Sequence, residues 1–262
     1  MVTSTAPGAA ERKSYRIDAV ARALRVLEAL GDTPGIGVTA LAEKLGLTKS
    51  IAFRLLQTLE EDGYVQRDEE RAIYSLGYRV ALLGERVGRK GALLQVARPV
   101  MDALRDETGE NVNLVVREGT AAIAIATREG LHSIRLFAQT GRRGPLHAGG
   151  ASMVLLAYAE PSIRDRVLDA PLERFSPHTI TDPERLRDAL LLIRSNRYNV
   201  ATNDLDDGAF SVAAPIQNTA GEIVAGISVA GASARLDEVR RASYIEKVVE
   251  AAAEISKRLT LG

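Results

Sequence analysis

At 262 residues, 46% hydrophobic and 26% charged, the chain has the length for two domains and the balance of a soluble globular protein. It has no cysteine, which excludes a disulfide scaffold, thiolate metal sites and a cysteine nucleophile. Its three histidines (His132, His147 and His178) show no metal-ligand spacing, so neither metal nor cofactor is expected.

The net charge is zero, yet residues 1–90 hold 14 Lys+Arg against 12 Asp+Glu, while residues 91–262 hold 20 against 22. The small basic excess therefore sits in the N-terminal third, where it favours a polyanionic partner. No apolar run approaches the roughly 20 residues of a membrane span. The N-terminus lacks the apolar core of a signal peptide, so the expected compartment is the cytoplasm.

Residues 1–14 (MVTSTAPGAAERKS) are small and polar and read as a disordered tail. A first helix is expected from Asp18 to Leu30, with Val20, Ala23, Leu24, Leu27 and Leu30 inward and Arg22 and Arg25 outward. The stretch GDTPGIG reads as a loop. In 38–63, Val38, Leu41, Ala42 and Leu45 fall at helical spacing, with Thr39 available as a cap. Gly46 breaks that helix and Leu47 fills the hinge. Thr48 caps a second helix whose inner face is Ile51, Leu55, Leu56 and Leu59.

The outer face of this second helix carries Lys49, Ser50, Phe53, Arg54 and Gln57, a set able to reach phosphates and base edges in a major groove. Beyond it, Tyr64-Val65 and Ile73–Leu76 flank QRDEERA as a hairpin. Three helices and this hairpin make a winged helix-turn-helix over residues 15–77. Residues 78–96 read as a linker helix interrupted by Gly84, Gly88 and Gly91, with Leu82, Leu83 and Val87 as its buried face and a second copy as its support.

The rest alternates between element types. Helix is expected over 99–108, strands over 111–117, 121–127 and 133–139, and helices over 149–158, 162–168 and 183–196. Strands follow at 210–216 and 222–231, and a long amphipathic helix at 237–259. This order indicates an α+β domain with an antiparallel sheet over residues 97–262.

The blocks AVARALRVLEAL, LAEKLGLTKSIAFRLLQTLEEDGYVQRD, YSLGYRVALLG, PVMDALRDETGENVNLVV, RRGPLHAGGASMVLLAY, FSVAAPI and ISVAGASARLD follow one another in this order. In them the chain resembles the isocitrate-lyase-regulator (IclR) family of bacterial transcription factors over nearly its whole length. The resemblance implies a winged helix-turn-helix, a linker helix and an effector-binding domain of GAF-like α+β fold. It further implies homodimers or dimers of dimers on palindromic double-stranded operators, mostly repressing, with small organic acids or aromatic catabolites as effectors.

For DNA, Lys49 and Ser50 lie at the N-terminus of the second helix, where backbone N–H groups also favour phosphate. Arg54 suits bidentate guanine readout. Thr48 and Gln57 complete the surface. Phe53 touches a thymine methyl or packs inward. Arg67 and Arg71 either skirt the minor groove or pair with Glu69 or Glu70 at a solvated tip. Arg22 matches a phosphate-holding family position, and Arg16, with Arg12 and Lys13, either brushes phosphates or belongs to a solvated tail.

For the effector, PLHAGGASMVLLAY places Gly150 and Ala151 where a loop turns into a helix, and free N–H groups there bind carboxylate unless the turn is merely tight. The family's ligand-lining positions match Gly150, Ala151, Ser211 and Ser228. A family lysine is replaced by Met153, a second serine by Ala230 and an acidic residue by Ala201, leaving Asn203 and Asp204 nearby. These losses point to a larger, less polar effector, aromatic or amide-containing, with Leu131, Leu136 and Phe137 as candidate walls.

A hydrolase is the rival class, from Ser152 near His147, but GGASM is not the GxSxG elbow and no carboxylate is placed to orient the histidine. A ligand sensor whose winged helix grips protein instead of DNA is the other, separable by the salt dependence of DNA binding.

Overall fold

The computed structural model describes residues 17–85, 89–132 and 139–261, with backbone only at 85, 89–91 and 261. Arg12, Lys13, Arg16, Val87, Leu136, Phe137 and most of the strand expected over 133–139 lie outside these residues. The chain divides into two compact units at Val87/Gly88.

In the first unit, α1 (Asp18–Asp32), α2 (Val38–Leu45) and α3 (Lys49–Glu61) enclose a core of Val26, Ala29, Leu30, Leu41 and Leu56. The inward face of α1 differs from the expected one. Val26 and Ala29 are buried with Leu30, whereas Val20 and Leu24 are more than half exposed, as is Ile17 just before the helix. Sequence periodicity permits both stripes here, and packing on α3 selects the second.

Ile36–Gly37 forms a short strand, β1, inside the expected loop; it pairs with Tyr74 and Ile73 of β3 (Ile73–Leu76), which also pairs with β2 (Val65–Asp68). Two residues are too few for alternation to register, so this third wing strand is visible only as pairing. Helix α2 starts at Val38 with Gly37 at its cap, leaving Thr39 inside the first turn and not capping.

Helix α4 (Tyr78–Glu85) exposes Leu82 and Leu83 in the single chain, the residues expected to be buried with a second copy as support. In the second unit, α5 (Arg89–Thr108) runs unbroken through Pro99, merging the end of the expected linker with the separate helix expected over 99–108. The carbonyl deprived of a partner by Pro99 belongs to exposed Gln95, where water can replace the missing N–H.

The sheet of the second unit holds β4 (Asn111–Glu118), β5 (Ala121–Arg128), β6 (Arg143–Pro145), β7 (Asn199–Thr202), β8 (Ala209–Gln217) and β9 (Ile223–Ala232). All neighbours are antiparallel, in the order β6-β5-β4-β9-β8-β7. The short edge strands β6 and β7 were not anticipated, again for want of length.

Alternation gives the sheet two unlike faces. Val112, Leu114, Phe210, Val212, Ile216, Ile227 and Val229 bury one face against α5 and the C-terminal α9 (Glu238–Leu261). The opposite face carries small or polar residues and is partly covered by α6 (Gly150–Ala157), itself backed by α7 (Pro161–Leu168) and α8 (Pro183–Asn196).

Candidate functional sites

In the winged helix, Gly46 takes the left-handed conformation (φ 63°), and the Leu47 N–H donates to the Ala42 carbonyl at 2.9 Å, closing α2. Thr48 caps α3, its Oγ1 accepting from the Ile51 N–H at 3.3 Å. The turn between the helices is therefore fixed by residue types whose local preferences agree with it.

Ala52 and Leu56 face the core, with Ile51, Leu55 and Leu59 half-buried. Thr48, Lys49, Ser50, Phe53, Arg54 and Gln57 are all exposed. Phe53 is 44% exposed, so the inward alternative does not describe it. Neither Lys49 nor Arg54 forms an ion pair among the described residues, and both charges point to solvent.

Arg22 is half-buried on α1. In the wing, Arg67 stacks over Tyr74 (5.8 Å to the ring centroid) and meets Glu69 at 3.6 Å, as in the solvated-tip alternative. Arg71 is exposed; its backbone N–H and that of Glu70 are held by Asp68 Oδ1, which shapes the tip.

The second unit contains a cavity of about 150 Å³ between the small-residue face of the sheet and the start of α6. Its floor comes from register. Asn113 pairs with Ser228, Ser228 with Ala213, and Ser211 with Ala230, so these side chains share one face. Asn111, Asn113, Ser211, Ser228 and Ala230 line the cavity from β4, β8 and β9. Gly150, Ala151 and Ser152 line it from α6, and Gln139, Arg142, Asp204 and Asp206 from loops.

Gly150 permits this arrangement. A Cβ there would lie 2.4 Å from Ser211 Oγ and 2.8 Å from the Ser211 carbonyl oxygen, so α6 can approach β8 this closely only with glycine.

The N-terminal turn of α6 already has one anionic partner. The Gly149 N–H donates to Asp204 Oδ2 at 2.7 Å, and Thr179 Oγ1 donates to the Asp204 carbonyl at 2.6 Å. Burial raises the Asp204 carboxyl above the usual carboxylate value, aided by the charge of Asp206, against the opposing hydrogen bonds from Gly149 and Leu205.

Of the expected effector residues, Gly150, Ala151, Asp204, Ser211 and Ser228 converge on this cavity, and Asn203 does not line it. Asn203 instead takes φ 58°, donates its N–H to the Ala209 carbonyl and carries a buried Oδ1 with no hydrogen-bond partner among the described residues. Leu131, a candidate wall, is 65% exposed. Sequence reasoning missed Asn111, Asn113, Arg142 and Asp206. The Asn-x-Asn alternation in NVNLVV was the available signal for the first two.

The histidine of the hydrolase alternative is engaged elsewhere. His147 Nε2 lies 2.9 Å from the Glu173 carbonyl oxygen and the ring packs on Phe175, while no hydrogen bond joins it to Ser152. The chain entering β4 is pinned twice. Asn111 Oδ1 accepts from the Gly130 N–H at 2.7 Å, and the preceding Glu110, 1% exposed, is gripped by Nε and Nη2 of Arg235, each at 2.6 Å.

Residues 87–257 match the family model of the bacterial transcriptional regulator IclR C-terminal domain, and residues 19–69 match the IclR helix-turn-helix domain. The chain is 34% identical over 252 residues to the HTH-type transcriptional regulator BhcR of Paracoccus denitrificans (strain Pd 1222), covering 96% of this chain and 90% of BhcR. To the HTH-type transcriptional repressor AllR of Escherichia coli (strain K12) it is 33% identical over 258 residues, 97% of this chain and 95% of AllR.

Among solved structures, an IclR homologue from Microbacterium hydrocarbonoxydans complexed with 4-hydroxybenzoate is similar with a TM-score of 0.77. Identity is 28%, over 92% of this chain and 98% of that one. No described helix is long and apolar enough to cross a membrane.

Proposed function

The chain belongs to the IclR family of DNA-binding transcriptional regulators, and we propose that it represses a catabolic operon until a small organic or aromatic acid enters the cavity of its second unit. The observation that carries this reading is the cavity itself: a recess of about 150 Å³, with Asn113, Ser211 and Ser228 on its floor, in a protein whose other unit presents an exposed helical face with Lys49 and Arg54 facing solvent. The 4-hydroxybenzoate bound to the Microbacterium homologue supports an aromatic acid as the ligand class.

In this reading Lys49, Ser50, Arg54 and Gln57 enter the major groove. Phe53 contacts a base methyl, Thr48 and Arg22 hold phosphate, and Arg71 and Arg16 track the adjacent backbone, while Arg67 stays with Tyr74 and Glu69 at the wing tip. Gly150, Ala151, Ser211 and Ser228 contact the effector. A homodimer or dimer of dimers places two recognition helices on a palindrome, with half-sites about 34 Å apart. The exposed Tyr78, Leu82 and Leu83 of α4 are the apolar surface a second copy would cover. Effector binding changes the spacing of the two recognition helices and so lowers operator affinity.

The test is fluorescence anisotropy with operator fragments from the neighbourhood of the protein's own gene, across salt and across a panel of organic acids, aromatic acids and amides. Steep salt dependence and release by an acid are expected. Salt-independent DNA binding, or equal operator affinity and bending with and without every ligand that binds, would contradict the reading.

A further inference from the structure

The charges around the cavity are unevenly satisfied. Arg142 lines the cavity and reaches Asp206 across 64 residues of sequence through Nη2 alone, at 3.2 and 3.5 Å to the two carboxylate oxygens. Its Nε and Nη1 donate to no partner among the described residues. Both members of the pair are close to half exposed, 44% and 47% for the side chains, which places this ion pair in the weak, solvent-screened class.

Arg235 shows the contrasting state in the same unit, with both nitrogens of its Nε/Nη2 edge closed on a buried carboxylate. A guanidinium that uses one nitrogen of a rigid two-nitrogen fork keeps its bidentate capacity for another carboxylate. The first N–H of the α6 turn, by contrast, is already taken by Asp204.

We propose that Arg142 is the residue that receives the effector's carboxylate, leaving Asp206 for the ligand when the cavity fills. This deepens the effector-binding reading and rests on it. In the unliganded protein Asp206 holds the guanidinium at the cavity rim. An acid ligand offers two oxygens to a fork edge that pairs Nη2 with the unused Nε or Nη1, and Asp206, giving up Nη2, then returns to solvent. The ligand class follows: a monocarboxylate, with its neutral amide as a poor substitute. The hydrogen-bonding remainder of the ligand meets the Asn113, Ser211 and Ser228 floor and the Asp204 carboxyl, which accepts from a hydroxyl or amide N–H.

The experiment is isothermal titration calorimetry of the full-length protein with matched pairs: benzoate and benzamide, 4-hydroxybenzoate and 4-hydroxybenzamide, pyruvate and pyruvamide. Arg142→Gln, Arg142→Lys and Asp206→Asn are measured alongside, with melting curves to establish that each variant is folded. Wild type is expected to prefer the acid of a binding pair about 10–100-fold, the range of a charge-assisted contact. Arg142→Gln abolishes the preference, Arg142→Lys retains part of it, and Asp206→Asn strengthens acid binding several-fold.

Acid and amide binding equally to wild type, or an acid preference that survives Arg142→Gln, overturns the role of Arg142 and leaves the cavity as effector site intact. Absence of binding by every member of all three pairs overturns the acid-effector reading and the proposal together.

Discussion

The outer face of α3 and the cavity of the second unit present polar side chains in opposite ways. On α3, Lys49, Ser50, Arg54 and Gln57 lie within nine residues on one exposed helical face, and a single period of sequence sets their relationship. The cavity draws Asn113, Ser211, Ser228 and Gly150 from three strands and a helix, and only sheet register and one close approach bring them together. The first surface tolerates exchange of one side chain without disturbing the rest. The second depends on backbone positions, so its most sensitive residue is a glycine.

The largest separation of the two units should come from their interiors. Leu56→Ala removes a fully buried side chain between α1, α2 and α3 and should cost that unit about 2–5 kcal/mol. Urea unfolding followed with a label in each unit should show the loss in the winged helix, with effector affinity retained. An equal shift at both labels would mean that the units unfold as one.

Gly150→Val forces a branched side chain into the Ser211 backbone and should cost about 1–3 kcal/mol by overpacking. It should abolish ligand release while operator binding persists. Normal release would show that α6 can retreat from β8 without harm to the cavity.

Arg54→Ala should lower operator affinity by about 1–3 kcal/mol and relax selectivity at one base pair. Lys49→Ala should weaken all sequences alike and reduce the salt slope by about 1. Neither should change effector affinity measured by calorimetry, and a change in it would erase the contrast between the two surfaces.

The smallest effect concerns Asp204. Its folded-state pKa is raised from 3.8 by burial, so the native state binds the proton more tightly than the unfolded chain. The associated stabilisation is complete below the unfolded value of 3.8 and is lost as pH rises from there through the raised folded value. Asp204→Asn, which keeps an acceptor for the Gly149 N–H, should lose less stability than wild type over that acid-side window. Parallel melting-temperature profiles for the two proteins from pH 3.5 upward would remove burial as the dominant influence on this carboxyl.

Most of the secondary structure was legible because long elements carry their period. The strands β4, β5, β8 and β9 and helices α7, α8 and α9 fall within about two residues of the expected bounds, the ordinary uncertainty of element ends. Short or doubly patterned elements were not legible. Ile36–Gly37 and Asn199–Thr202 become strands because a partner offers its edge, and α1 carries two candidate apolar stripes.

The sites divide the same way. The α3 face could be read from spacing, and the family resemblance supplied Gly150, Ala151, Ser211 and Ser228. Arg142 and Asp206 remained invisible because no local pattern announces that residues 64 positions apart share a rim. Asn203 was misplaced for a related reason, since its neighbour Asp204 reaches the cavity while Asn203 turns back on its own loop.

The two-faced sheet acts as a partition wall with separate tenants. Volume changes at Ala122, Ala124 or Ala230 fall on the cavity side, whereas the leucines, isoleucines and valines that anchor α5 and α9 stand behind the backbone plane. Chemical taste can therefore drift in such a protein by small exchanges on one side while the domain's resistance to unfolding is maintained on the other. A regulator built this way can be retuned to a new metabolite without first being made sturdier.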